Sequence, residues 1–91
     1  MDQIYVTHNI NQNLDLRILT FITGEISHMD KKVDYLQVFD LEDEILTHSS
    51  EQPEYRKVYP LGRKYGDCKI FAIRTEEEKR SYWTVMYSEE Y

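Results

Sequence analysis

A chain of 91 residues with 41% hydrophobic and 31% charged side chains has the make-up of one globular domain spanning residues 1–91, close to the lower size at which a single core holds without staples. Its one cysteine, Cys68, excludes an intrachain disulfide and a cysteine-based zinc site, and accords with a reducing cytoplasm. The net charge of −6 opposes phosphate affinity, and it is unevenly placed: residues 1–45 hold nine Asp/Glu against three Lys/Arg, whereas residues 46–91 hold eight of each.

In chain order, residues 3–7 are β-branched and aromatic and predict a short first strand, which Asn9, Asn11 and Asn13 interrupt with turn and cap chemistry. Leu14, Ile18, Ile22 and Ile26 then recur every fourth residue, flanked by Leu19, Phe21 and Met29. That spacing predicts an amphipathic helix with one buried face. Asn13 is the expected N-cap, Asp15 falls in the favourable first turn, and Lys31 and Lys32 would complement the dipole after an end near Asp30. Gly24 costs such a helix up to about 1 kcal/mol.

From residue 35 the period changes to two. Residues 35–41 place Leu36 and Val38 on one face and Tyr35, Phe39 and Leu41 on the other, the pattern of an interior strand. Glu42, Asp43 and Glu44 form the next turn, residues 45–50 a further strand, and Pro53 its close. Residues 55–61 alternate again, with Pro60 arguing for an edge position. A polar loop over 62–67 leads to strands at 69–74 and 81–87, joined by a charged hairpin loop at 75–80. The order predicts an α+β fold: an antiparallel sheet of about five to six strands with one helix packed on one face.

No apolar run approaches the ~20 residues of a membrane-spanning helix, and residues 1–8 lack the basic and apolar regions of a signal peptide, so a cytoplasmic protein without membrane contact is expected. His8, His28 and His48 show no metal-ligand spacing, and no cofactor is expected. Gly62, Arg63, Lys64, Tyr65 and Gly66 lack the strand-to-helix context of a phosphate loop. An enzyme would have to pair Cys68 with His48 across neighbouring strands. Direct nucleic-acid binding would have to use Arg63, Lys64 and Lys69 with the aromatics, against the overall charge.

A partner surface fits the residues better. Eight tyrosines, three phenylalanines and a tryptophan are a heavy aromatic load, and one sheet face has only side chains to shield it. The expected contact residues are the acidic turn Asp40, Glu42, Asp43 and Glu44, which would steer a basic partner, and the strand tyrosines Tyr55, Tyr59, Tyr82 and Tyr87 as anchors for a host protein or a homodimer.

The runs Tyr5-Val6-Thr7, residues 34–41 (Asp-Tyr-Leu-Gln-Val-Phe-Asp-Leu), residues 45–55 and the terminal Ser88-Glu89-Glu90-Tyr91 resemble a family of small staphylococcal and Firmicute domains of unknown function numbered nine-sixty. The Tyr35-Leu36-Gln37-Val38-Phe39 strand carries most of the likeness. Thr7-His8-Asn9 and Asn13 stand where the family has Thr-Arg-Gly and a proline-led helix start. The resemblance implies no catalytic residues. It implies a setting among phage and mobile-element genes of Gram-positive bacteria, where small acidic proteins block or modulate host proteins.

Overall fold

The computed structural model describes residues 3–29 and 33–91. The expected helix end near Asp30, with Lys31 and Lys32, lies outside these residues. Six strands form one sheet, β1 (Gln3–Val6), β2 (Leu36–Glu42), β3 (Ile45–Glu51), β4 (Glu54–Pro60), β5 (Cys68–Glu76) and β6 (Ser81–Tyr87), in the spatial order β1-β6-β5-β2-β3-β4. Between β1 and β2 lie two helices, α1 (His8–Asn13) and α2 (Leu16–Ser27), and a 3-10 turn over Ser88–Glu90 ends the chain. The α+β fold is that of the sequence pattern.

One pairing departs from the antiparallel rule. β1 runs parallel to β6, while β2–β3, β2–β5, β3–β4 and β5–β6 are all antiparallel. With β6 and β5 between them, β1 and β2 point the same way, so their connection has to cross the sheet, and a parallel relation needs a helical crossover. The α1–α2 pair is that crossover and covers one face.

α2 forms on the expected stripe. Ile18, Ile22 and Ile26 are buried and join Phe39, Leu41, Leu46, Ile70, Ala72, Trp83 and Val85 in one core. Each of these isoleucines contributes about 1.5–3 kcal/mol through burial. The cap is Asp15 and not Asn13: its carboxylate accepts from the Arg17 N–H at 2.8 Å. That bond holds the Asp15 carboxyl below its usual value.

α1 is a second, short helix where a turn was expected. Thr7 caps it by accepting from the Ile10 N–H at 3.2 Å, and the same hydroxyl donates to Glu90 at 3.0 Å. Ile10 is fully buried, so packing and one cap override the low helix propensity of three asparagines.

Leu36–Glu42 and Ile45–Glu51 are joined at Asp43 and Glu44. Asp43 has φ 57°, a left-handed conformation that Asp tolerates better than most residues. The 62–67 loop fastens this turn: Asp67 accepts from the Asp43 N–H at 2.8 Å, and Lys64 pairs with the Asp43 carboxylate at 3.3 Å. β4 is an edge, as Pro60 predicts, and the strands at 75–76 extend further into the charged hairpin than the sequence indicated, to Glu76.

Gly24 sits mid-helix with open space around the position a Cβ would take. Gly24→Ala is therefore expected to raise the unfolding free energy by about 0.5–1 kcal/mol, read as a higher urea midpoint at unchanged slope; a lower midpoint would mean that the helix needs glycine there for a reason other than space.

Candidate functional site

Alternation sorts the sheet into two unlike faces. Under the helices lie Gln37, Phe39, Leu41, Leu46, His48, Ser50, Ile70, Ala72, Trp83 and Val85, all buried. The opposite face carries Leu36, Val38, Phe71, Ile73, Thr84 and Met86, half-buried, with Ile45 and Val58 exposed. No helix covers it among the described residues, although Tyr91 packs its ring edge-on to Phe71 at 5.9 Å.

The acidic residues expected at the partner surface do gather at this open face. Asp40, Glu42 and Asp43 line one groove with Val38, Ile45 and Val58, and Glu44 completes the turn. Asp40 lies opposite both Thr47 and Lys69 in the ladder. The other strand end is acidic too, with Glu51 and Glu54 facing each other.

The four tyrosines do not share that surface. Tyr82 lies on the open face, edge-on to Tyr5 at 5.4 Å and under the Arg80 guanidinium. Tyr55, Tyr59 and Tyr87 face the helix side, because each is in register with an inward residue: Ser50, Leu46 and Ile70 respectively. β4 and β6 are also four strands apart in the sheet order, about 19 Å at ~4.8 Å per strand. Tyr59 and Tyr87 are half-buried and pack against the core, and Tyr82 is half-buried as well, so of the four only Tyr55 is exposed.

Cys68 and His48 do not assemble across neighbouring strands. β2 intervenes, with Phe39 beside His48 and Leu41 beside Cys68. Burial raises the Cys68 thiol, and Asp40, Asp67 and Glu89 raise it further, the opposite of nucleophile activation. The basic residues weighed for nucleic acid are matched locally: Lys64 by Asp43, Arg63 by the Tyr65 ring at 5.0 Å, and Lys69 by its ladder neighbour Asp40.

What the sequence reading missed is a buried polar chain on the helix side. The Tyr59 hydroxyl donates to Glu25 Oε1 at 2.5 Å, and His48 Nδ1 lies 3.4 Å from the same oxygen. His48 Nε2 is 2.7 Å from Gln37 Oε1, and the Gln37 amide nitrogen donates to the Asp34 carbonyl at 2.8 Å. That carbonyl can only accept, so the Gln37 oxygen accepts in turn and His48 Nε2 carries the hydrogen. The Asp34 carboxylate continues the chain by accepting from Leu36, Glu51 and Gln52 N–H groups at 3.1, 3.2 and 2.9 Å. Burial would raise the Asp34 carboxyl, but these backbone donors outweigh it and hold it below the usual carboxylate value.

His48 is 1% exposed and stacked on Phe39 at 4.3 Å. Burial lowers its pKa, with Glu25 pulling only partly back. The neutral ring with hydrogen on Nε2 leaves an Nδ1 lone pair toward Glu25, which accounts for a contact longer than the ~2.7–2.9 Å of a charge-assisted bond. Burial first and Glu25 second raise the Tyr59 phenol, so it stays a donor.

Glu25, Gln37 and His48 form the floor of a cavity of about 300 Å³ that opens between the end of α2 and the β3–β4 turn. Among the described residues no group of three His, Cys, Asp or Glu side chains is placed to hold a metal ion, and no helix is long and apolar enough to cross a membrane. Comparison with known proteins adds no relative: no family model, no curated protein and no solved structure matches the chain.

Two outcomes follow from this geometry. Because the folded His48 pKa lies below its ordinary 6.5, its contribution to stability is complete above that value and is lost as pH falls through the folded pKa. Urea unfolding from pH 8 to 5 should show this loss, and His48→Phe should flatten it; an unchanged pH slope in the variant would assign the loss to other groups. Cys68 should alkylate with iodoacetamide more slowly at pH 8 than a free cysteine peptide, and faster reaction would contradict the raised thiol.

Proposed function

We propose that this chain is a non-enzymatic protein-binding module that docks a partner on the open face of its sheet. The observation that carries the reading is the mismatch between the two faces: Val38, Phe71 and Ile73, and across the polar row Thr47, Asp40 and Lys69 also Ile45 and Val58, have no helix over them among the described residues, while the strand ends are acidic. Apolar centres with polar rims are the anatomy of interfaces.

The partner that fits has an apolar ridge flanked by basic residues. Asp40, Glu42, Asp43 and Glu44 would steer the encounter and the apolar residues would hold the complex. The sharpest form of the reading, an acidic inhibitor or modulator of a host nucleic-acid-handling or defence protein encoded by a phage or mobile element and acting in the cytoplasm, draws its support from the family resemblance and from this acidic rim.

Affinity capture from a Gram-positive lysate treated with nuclease should retain one stoichiometric protein. With that protein in hand, Glu42→Gln, Asp43→Asn and Glu44→Gln together should slow association about tenfold at low salt with little change in dissociation. Val38→Asp and Ile73→Asp, checked by circular dichroism, should abolish binding. Capture unaffected by either face substitution would refute docking on the open face.

A further inference from the structure

We propose that the cavity beside the end of α2 binds an organic cation, an ammonium or guanidinium group carried on an aliphatic stem. The site lies on the helix side of the sheet, so it stands independently of docking on the open face.

The hydrogen-bonding inventory of the cavity is one-sided. Its acceptors are the carboxylates of Glu25 and Glu54, the Nδ1 lone pair of neutral His48, and His28. His28 Nδ1 lies 2.6 Å from the Gly24 carbonyl and donates to it, which leaves Nε2 as an acceptor in the neutral ring. Several donors are used within the protein: one Gln37 amide hydrogen on the Asp34 carbonyl, the Ser50 hydroxyl on the Pro53 carbonyl at 3.2 Å, and the neighbouring Tyr59 hydroxyl on Glu25; the Tyr55 hydroxyl also lines the space. Among the described residues no lysine or arginine lines the space. An anion would face two carboxylates, and an alcohol would leave most acceptors unmet, whereas a cation with several N–H groups satisfies them.

The walls select the rest of the ligand. Met29, Val33 and Pro53 offer apolar surface, and Tyr55, 40% exposed at the mouth, presents a ring suited to a cation. The Glu25 side chain, 26% exposed, engages Tyr59 and His48 through Oε1; a carboxylate has about four lone-pair sites, so capacity remains for a bidentate or forked donor. A volume of about 300 Å³ suits one flexible side chain or a small amine and no larger cofactor.

The test titrates agmatine, pentylamine, N-acetyl-arginine-N-methylamide and neutral pentan-1-ol into the full chain, following backbone amide and imidazole resonances. The cations should shift His48, Ser50 and Tyr55 signals saturably while pentan-1-ol does not. Glu25→Gln should weaken agmatine at least about tenfold. Because Glu25 also ties α2 to the sheet, Glu54→Gln at the exposed rim serves as the second variant and should weaken binding about threefold with the fold intact. Tighter binding of the capped arginine than of agmatine would place the natural cation on a protein side chain, and the reverse order would indicate a free amine; either supports the proposal. Equal binding of pentan-1-ol, agmatine affinity unchanged in Glu54→Gln, shifts confined to the Glu42–Glu44 turn, or no shift with any cation would overturn it.

Discussion

The structure depends on a polar cluster under α2, in which the Tyr59 hydroxyl donates to Glu25, His48 donates to Gln37 and Gln37 to Asp34, with His48 Nδ1 and Glu25 in contact at 3.4 Å. It joins β4 to α2, α2 to β3, β3 to β2, and through the Asp34 carboxylate it returns to the backbone after β3. Apolar contacts alone are non-directional and would let a helix slide or rotate over a sheet. Buried polar groups are costly unless paired, so the cluster fixes the register of helix on sheet: shifting α2 by one residue would strand the His48–Gln37 pair against an apolar side chain.

The same cluster explains how a small core carries polar groups. Among the described residues, each buried side-chain nitrogen or oxygen has a polar atom within reach, with His48 Nδ1 meeting only the Glu25 carboxylate at 3.4 Å, although Gln37 and His48 are as buried as Phe39. The aromatic rings around His48 reinforce it: Phe39 stacks on one side and Tyr55 tilts against it at 4.9 Å, which keeps the imidazole plane aimed at both Gln37 and Glu25. Phe21 meets Tyr59 edge-on at 4.7 Å and holds the phenol toward Glu25.

Covering one sheet face with a helical crossover leaves the other to its own side chains. Large β-branched and aromatic residues on that face are what a strand surface prefers, and Tyr91 folding back onto Phe71 covers only a small part of it. The acidic turn is not a loose appendage to this face. Asp43 is pinned by Asp67 and Lys64, so Asp40, Glu42 and Asp43 are presented at a fixed angle, a condition for steering and for low entropic cost in binding.

The sequence by itself determined the order of the strands and α2, the apolar stripe of α2, the interior place of the 35–41 strand, the edge place of β4 and the lack of an intrachain partner for Cys68, because each follows from local period, from proline chemistry or from a count. It also held a readable sign of the buried site: Gln37 precedes Phe39 by two and His48 follows Leu46 by two, so strand alternation turns both inward. Other features were decided only by tertiary structure. Whether β1 pairs with β6, and in which direction, depends on where the crossover returns. Helix α1 forms because Ile10 finds the core and Thr7 finds Glu90 across the whole chain. Glu25 gains its role because residues 23 and 34 positions away meet it in space. The tyrosines divide between two faces because register, which one residue of slip would invert, is set by strand pairing and not by composition.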